Sequence, residues 1–189
     1  MMTLNINNAI VSHQRAIESI ANAEQTILEI INAMINCLEK GGKVLWCGNG
    51  GSAAEAQHMA AELMVRYRLN RKPLASISLT TDTSLLTAHT NDYEFETVFS
   101  RQVEALAKPA DMLIGITTSG TSNNVVKALE QAKEMGCVTV ALVGKVATNI
   151  TQQVDYSVHV DSTETARVQE GHTFINHLIC EGLDNFYCK

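Results

Sequence analysis

The chain has 189 residues, enough for one domain with a substantial core and too few for two of ordinary size. Apolar residues make up 46% and charged residues 18%, which excludes a disordered chain; the low charge, against about 25% in most soluble proteins, leads us to expect part of the surface to be covered in an oligomer. Fourteen Lys and Arg against 20 Asp and Glu leave a formal net charge of −6 with no basic block, so no nucleic-acid partner is expected and any anionic ligand must be held locally.

In chain order, the opening MMTLNINN has neither a charged n-region nor an apolar h-region. Residues of about 7–39 then place Ile10, Ile17, Ile20, Ile27, Ile30, Ile31, Met34, Ile35 and Leu38 at spacings of 3, 4 and 7, which predicts a long amphipathic helix ended by Gly41-Gly42. Beyond it, KVLWCG (43–48), LASISL (74–79), DMLIGIT (111–117), CVTVALVG (137–144) and YSVHV (156–160) predict strands. Helical patterns near 52–66, 94–107, 122–135 and 147–153 lie between them. Strands so apolar and so little alternated imply a sheet covered on both faces, a three-layer αβα doubly wound parallel sheet of about five strands. A last helix, about 162–186, opens with Asp161-x-x-Glu164, a spacing that suits a capping box. With only Pro73 and Pro109 and no linker-like tract, residues 1–189 read as one domain, its terminal helices packing on each other and on neighbouring subunits. The apolar runs are too short to span a bilayer, and the five cysteines are an odd number without C-x-x-C spacing, so a cytoplasmic protein with reduced thiols and no membrane partner is expected.

Two strand-to-helix junctions carry ligand-type loops. The first, CGNGGS, offers Asn49, Gly50, Gly51 and Ser52, where glycines let backbone approach a ligand and helix N–H groups face an anion. It matches neither the dinucleotide nor the Walker pattern, and the bland alternative is a tight turn with Ser52 as the N-cap. The second, TTSGTS, offers the hydroxyls of Thr117, Thr118, Ser119, Thr121 and Ser122. In open α/β sheets such loops face one crevice, and hydroxyls with helix N–H groups suit a phosphate monoester. On the helix after the first loop, His58 and Glu62 are four apart and so share a face, a pair able to chelate a metal or merely an exposed histidine beside an acid. On the last helix Gln169-Glu170-x-His172 precedes His177, but Gln169 and His177 are about 12 Å apart along a straight helix. If both serve one site, Gln169 precedes the helix or sits at a distorted start, or the two come from different subunits. His172 falls about 140° around from His177 and is the weaker candidate. Trp46, Cys47, Cys137 and Cys180 are expected in the core; His89, just before Asn91 and Asp92, either lines the pocket or is a solvated loop histidine, the second reading being the one expected.

Together, GNGGSAAEAQHMAAEL (48–63), TTD (80–82), ND (91–92), TTSGTSNNVVKAL (117–129) and TARVQEGHTFINHL (165–178) resemble the phosphoheptose isomerases, a branch of the sugar-isomerase (SIS) domain superfamily. The resemblance implies isomerisation of D-sedoheptulose 7-phosphate to D-glycero-D-manno-heptose 7-phosphate through a cis-enediol, the entry to bacterial heptose nucleotides for lipopolysaccharide or capsule. It also implies a cytoplasmic homotetramer with one Zn²⁺ per subunit, held by His58, Glu62, Gln169 and His177. Glu62 and His177 would be the catalytic pair. Substrate contacts would fall on Asn49, Gly50, Gly51, Ser52, Glu62, Asn91, Asp92, Thr117, Thr118, Ser119, Ser122 and Gln169. The chain departs from the family pattern at Thr121, where Asn is frequent, and at Thr90, where Gly precedes the ND pair. The rival readings are a non-catalytic SIS tetramer that binds a protein partner, such as the relative that contacts the bacterial replication initiator, and an isomerase of another sugar phosphate.

Overall fold

In the computed structural model, which describes residues 4–188, all five apolar segments form parallel strands. These are β1 (Val44–Gly48), β2 (Ser76–Ser78), β3 (Met112–Thr117), β4 (Val138–Val143) and β5 (Tyr156–His159), in the order β2-β1-β3-β4-β5. Alternate side chains point to opposite faces, so each strand feeds two cores. Val44, Trp46, Met112, Ile114, Ile116, Val140, Leu142 and Val158 pack under α1 (Ile6–Ser19), α2 (Glu24–Glu39), α3 (Gly51–Met64) and α8 (Thr165–Tyr187). Leu45, Cys47, Leu113, Ala141 and Val143 pack under α5 (Val98–Leu106), α6 (Asn123–Glu134) and α7 (Asn149–Gln153). Leu85 and Leu86 of α4 (Thr83–Asp92) lean on the second core. This is the three-layer αβα doubly wound sheet that the strand composition predicts. Trp46 and the four cysteines 37, 47, 137 and 180 are buried, and burial pushes the Cys47 thiol up to about 12, which leaves it inert.

Several local expectations are corrected. The amino-terminal helix is not continuous: a 3-10 turn, Ile20–Ala23, divides α1 from α2. Ser19 Oγ donates back to the Ala16 carbonyl at 2.6 Å and accepts the Asp161 amide at 3.1 Å, the kind of side-chain competition that bends a helix. The last helix starts at Thr165 and not 162, and the capping box is absent. Glu164 sits at the N-cap without capping, because its carboxylate accepts Ser12 Oγ at 2.7 Å, while Asp161 pairs with Lys145 at 2.8 Å. The segment 83–92 is helical, which the sequence pattern did not predict; Asp82 caps it by accepting the Leu85 amide at 2.9 Å. The terminal helices do pack on each other. Arg167 donates to the Ala9 carbonyl at 2.8 Å, and His13 meets Glu170 at 2.7 Å.

Candidate active site

The chain steps from β1 to β2 on one side and then crosses to β3 on the other, so the carboxyl ends of β1 and β3 flank a topological switch point. Gly48 and Ile116 are in register, which sets the two ligand-type loops side by side. In the first, Gly50 takes φ +54°, a left-handed turn open to glycine, and is the N-cap of α3; Ser52 is therefore not the cap but a buried residue of the first helical turn. Asn49 and Asn124 exchange two side-chain hydrogen bonds at 2.8 Å, tying the first loop to the start of α6.

The second loop is knit from its own hydroxyls. Buried Thr117 Oγ1 lies 3.0 Å from Ser122 Oγ and accepts the Gly120 amide at 3.2 Å. Ser119 Oγ accepts both the amide and the hydroxyl of Thr121, at 3.2 and 3.1 Å. Because Ser122 turns its hydroxyl to Thr117, no side chain caps α6 at its N-terminus. No side chain caps α3 either, so two helix starts, each with positive partial charge, open on the same crevice.

On α3, His58 Nε2 and Glu62 Oε1 are 3.0 Å apart. From α8, His177 brings a third donor, so that ligand atoms of His58, Glu62 and His177 all lie within 4.8 Å of one another. Two imidazole nitrogens and a carboxylate oxygen are a donor set that suits zinc and leaves a coordination position open. Gln169 is elsewhere. It lies inside the unbroken helix α8, which excludes a position before the helix, and its amide packs against Gly51, where an added Cβ would be 2.5 Å from Nε2. Asn91 and Asp92 are exposed on the last turn of α4 and bond each other at 2.8 Å. His89 is not a solvated loop residue: it is buried on α4 with Nε2 2.9 Å from Thr97 Oγ1 and its ring stacked on Tyr93.

Four residues that sequence patterns did not single out surround the three donors. Glu55, one turn before His58 on α3, accepts Thr173 Oγ1 and Asn176 Nδ2 from α8, each at 2.9 Å. Its spacing of 3 and 7 from His58 and Glu62 is the signal that marks the same helical face. Tyr67 stacks on His177, and the buried pair Arg71–Asp184 lies beyond them; these sit on a loop and a distant turn, where no periodicity points to them. His172 is buried apart from the three donors, as its angle on the helix predicts, and lies beside Gly51, Ser52 and Glu55.

Comparison with known proteins gives the class: a sugar-phosphate isomerase built on the SIS fold. The SIS domain family model matches residues 10–144. The phosphoheptose isomerase of Geotalea daltonii is 49% identical over 180 residues, covering 95% of this chain and 94% of that one. Among solved structures, phosphoheptose isomerase from Neisseria gonorrhoeae superposes with a TM-score of 0.90 at 39% identity, over 95% of this chain and 97% of that one. The corresponding enzyme from Francisella tularensis gives 0.91 at 38% identity, over 95% and 96%. The chain belongs to the SIS domain family and, within it, to the phosphoheptose isomerases.

Proposed function

We propose that the protein converts D-sedoheptulose 7-phosphate to D-glycero-D-manno-heptose 7-phosphate, an aldose–ketose isomerisation that supplies heptose for lipopolysaccharide or capsule. The observation that carries this is the convergence of His58, Glu62 and His177 from two helices, in a chain whose loops after β1 and β3 lie side by side at the switch point. The 7-phosphate takes the loop 117–122 and the start of α6, so that binding energy from the nonreacting end positions C1 and C2. Asn49, Gly50, Gly51 and Ser52 then face the sugar hydroxyls, and the likeness to the family assigns Asn91 and Asp92 of α4 to the substrate as well.

Glu62 removes a proton from C1 as His177 delivers one to O2, which gives the cis-enediol. His177 then takes the proton of O1 while Glu62 returns its proton to C2, and the aldehyde forms at C1. His58, Glu62 and His177 fit a zinc ion, and bound zinc would polarise the two oxygens and stabilise negative charge between the steps. If Gln169 serves the same centre, it does so from a second copy of the chain, because α8 is unbroken between Gln169 and His177. A homotetramer accords with this, and an open apolar groove of about 510 Å³ lined by Ile17, Ile20, Ile27, Leu28, Phe174 and Leu178 supports self-association. Five free thiols support a cytoplasmic location; no helix among the described residues is long and apolar enough to cross a membrane.

The test is conversion of sedoheptulose 7-phosphate by purified protein, metal-stripped and then resupplied with zinc. Activity should return with zinc, and Glu62→Gln and His177→Gln should each lower kcat by about 10²–10⁴-fold with the circular dichroism unchanged. Normal turnover in either variant refutes the assignment of roles. No conversion by a folded, tetrameric wild type turns the reading to a binding protein.

A further inference from the structure

Between α3 and β2 the chain crosses as an irregular strap, residues 65–75, and the strap is fastened to both helices at one buried point. One oxygen of Asp184, on α8, accepts the amides of Arg68 and Leu69 at 3.0 and 2.9 Å; the other accepts Arg71 Nε at 3.2 Å. The guanidinium of Arg71, with its side chain 2% exposed, also donates to the carbonyls of Glu62 and Leu63 at 2.8 Å each. Those carbonyls belong to the last turn of α3, which has no intrahelical donors of its own. The pair therefore ties strap, α3 and α8 together with its charges fully hydrogen-bonded, the condition under which a buried pair holds geometry.

What the fastened strap presents is Tyr67. Its ring stacks on His177 with centroids 5.4 Å apart and planes 25° from parallel, while His58 meets the same imidazole edge-on at 5.3 Å and 84°. Among the described residues no side chain or backbone group hydrogen-bonds to the His177 ring. Rotation about the terminal torsion of a histidine is soft, so the two ring contacts decide where the nitrogens point. Only one of those contacts, Tyr67, lies outside the donor set itself.

We propose that Tyr67 is a positioning residue for the isomerisation: it holds the His177 imidazole in its working orientation, and the Arg71–Asp184 pair is the anchor that keeps Tyr67 there. The proposal rests on the reading of His177 as the group that moves protons between O1 and O2. Tyr67 contributes through its ring face and not through its hydroxyl, so Phe suffices at this position and an aliphatic residue does not.

Tyr67→Phe and Tyr67→Leu test this, with circular dichroism and oligomeric state checked for both. In metal-free protein the His177 ring protons should show an upfield ring-current shift by NMR in the wild type and in Tyr67→Phe, lost in Tyr67→Leu. In the zinc-loaded enzyme Tyr67→Leu should lower kcat roughly 10- to 100-fold at unchanged KM, as expected for a misplaced reacting group, and Tyr67→Phe should restore it. Wild-type kcat in Tyr67→Leu overturns the proposal. Equal losses in both variants, or a raised KM at unchanged kcat, also overturn it, since the hydroxyl would then be touching substrate. A wild type that shows the ring-current shift but no turnover refutes the catalytic reading, and with it the positioning role, while the stacking stands.

Discussion

The buried histidine of α8 predicts a measurable acid weakness. His172 is 1% exposed, and it lines a small cavity of about 30 Å³ with Gly51, Ser52, Glu55, Gln169 and Thr173. Neither ring nitrogen has a hydrogen-bond partner among the described residues. Burial pushes its pKa down from 6.5 to about 4, the Val143 carbonyl and, after it, the Glu55 carboxylate opposing. The unfolded chain therefore takes up the proton near pH 6.5 and the folded chain only near pH 4, so in that window the unfolded state binds more protons. Stability from this residue is complete above pH 6.5 and drains away as the pH falls. At 1.36 kcal/mol per unit the loss amounts to about 3 kcal/mol by pH 4. The perturbation is His172→Leu, which removes the titrating group and keeps the site apolar. Urea unfolding followed by circular dichroism, with chelator and at one protein concentration, gives both stabilities between pH 7 and pH 4. The wild type should lose about 3 kcal/mol more than the variant across that range. Parallel pH profiles would refute the reasoning and would mean that the imidazolium finds a partner inside the fold, for which Glu55 is the available acid.

Other perturbations separate binding from folding. Ser119→Ala and Ser122→Ala should each weaken apparent affinity for the sugar phosphate by about 10- to 100-fold, the worth of a hydrogen bond to a charged group, with little change in kcat; an unchanged KM in both places the phosphate elsewhere. In Gly51→Ala the new Cβ would lie 2.5 Å from the Gln169 amide, a flexible group that can move, so the variant should fold normally while turnover falls, as thermal melts and steady-state kinetics will tell. Retained activity there would mean that Gln169 has no fixed task. Asp184→Asn leaves Arg71 without its counter-charge and should cost about 3–5 kcal/mol, a drop of about 10 °C or more in Tm by calorimetry; a shift within about 2 °C shows the pair to be dispensable.

Much of this molecule is legible in the chain because its signals are local. Unalternated apolar runs such as VLWCG and VTVALV place β1 and β4, since a strand buried on both faces needs no polar side. The loops 48–52 and 117–122 declare themselves by glycine and hydroxyl content at strand ends, and His58 with Glu62 by helical spacing. What escapes is decided at a distance. The bend between α1 and α2 depends on a hydrogen bond from the Asp161 amide to Ser19, 142 residues away in sequence. Helix α4 is mostly exposed and has a weak apolar face, so periodicity barely registers and only the Asp82 cap announces it. Glu164 looks like a capping residue but is drawn off by Ser12 of the first helix.

The meeting of His177 with His58 and Glu62 is non-local in the same sense, and its cause lies in a polar seam between α3 and α8. On α3 the seam runs through Glu55, His58 and Glu62; on α8 it runs through Thr173, Asn176, His177 and Asp184. At one end Glu55 holds Thr173 and Asn176, and at the other Arg71 joins the Glu62 carbonyl to Asp184. Sliding α8 by one turn, about 5.4 Å, would unpair both ends at once and strand buried carboxylates without donors. Apolar packing tolerates such slips far better than buried charge does. The two outer rungs thus fix the register of the helices. Among the described residues the middle rung, His58, Glu62 and His177, has no hydrogen bond from one helix to the other, so the outer rungs set how far apart its donors lie.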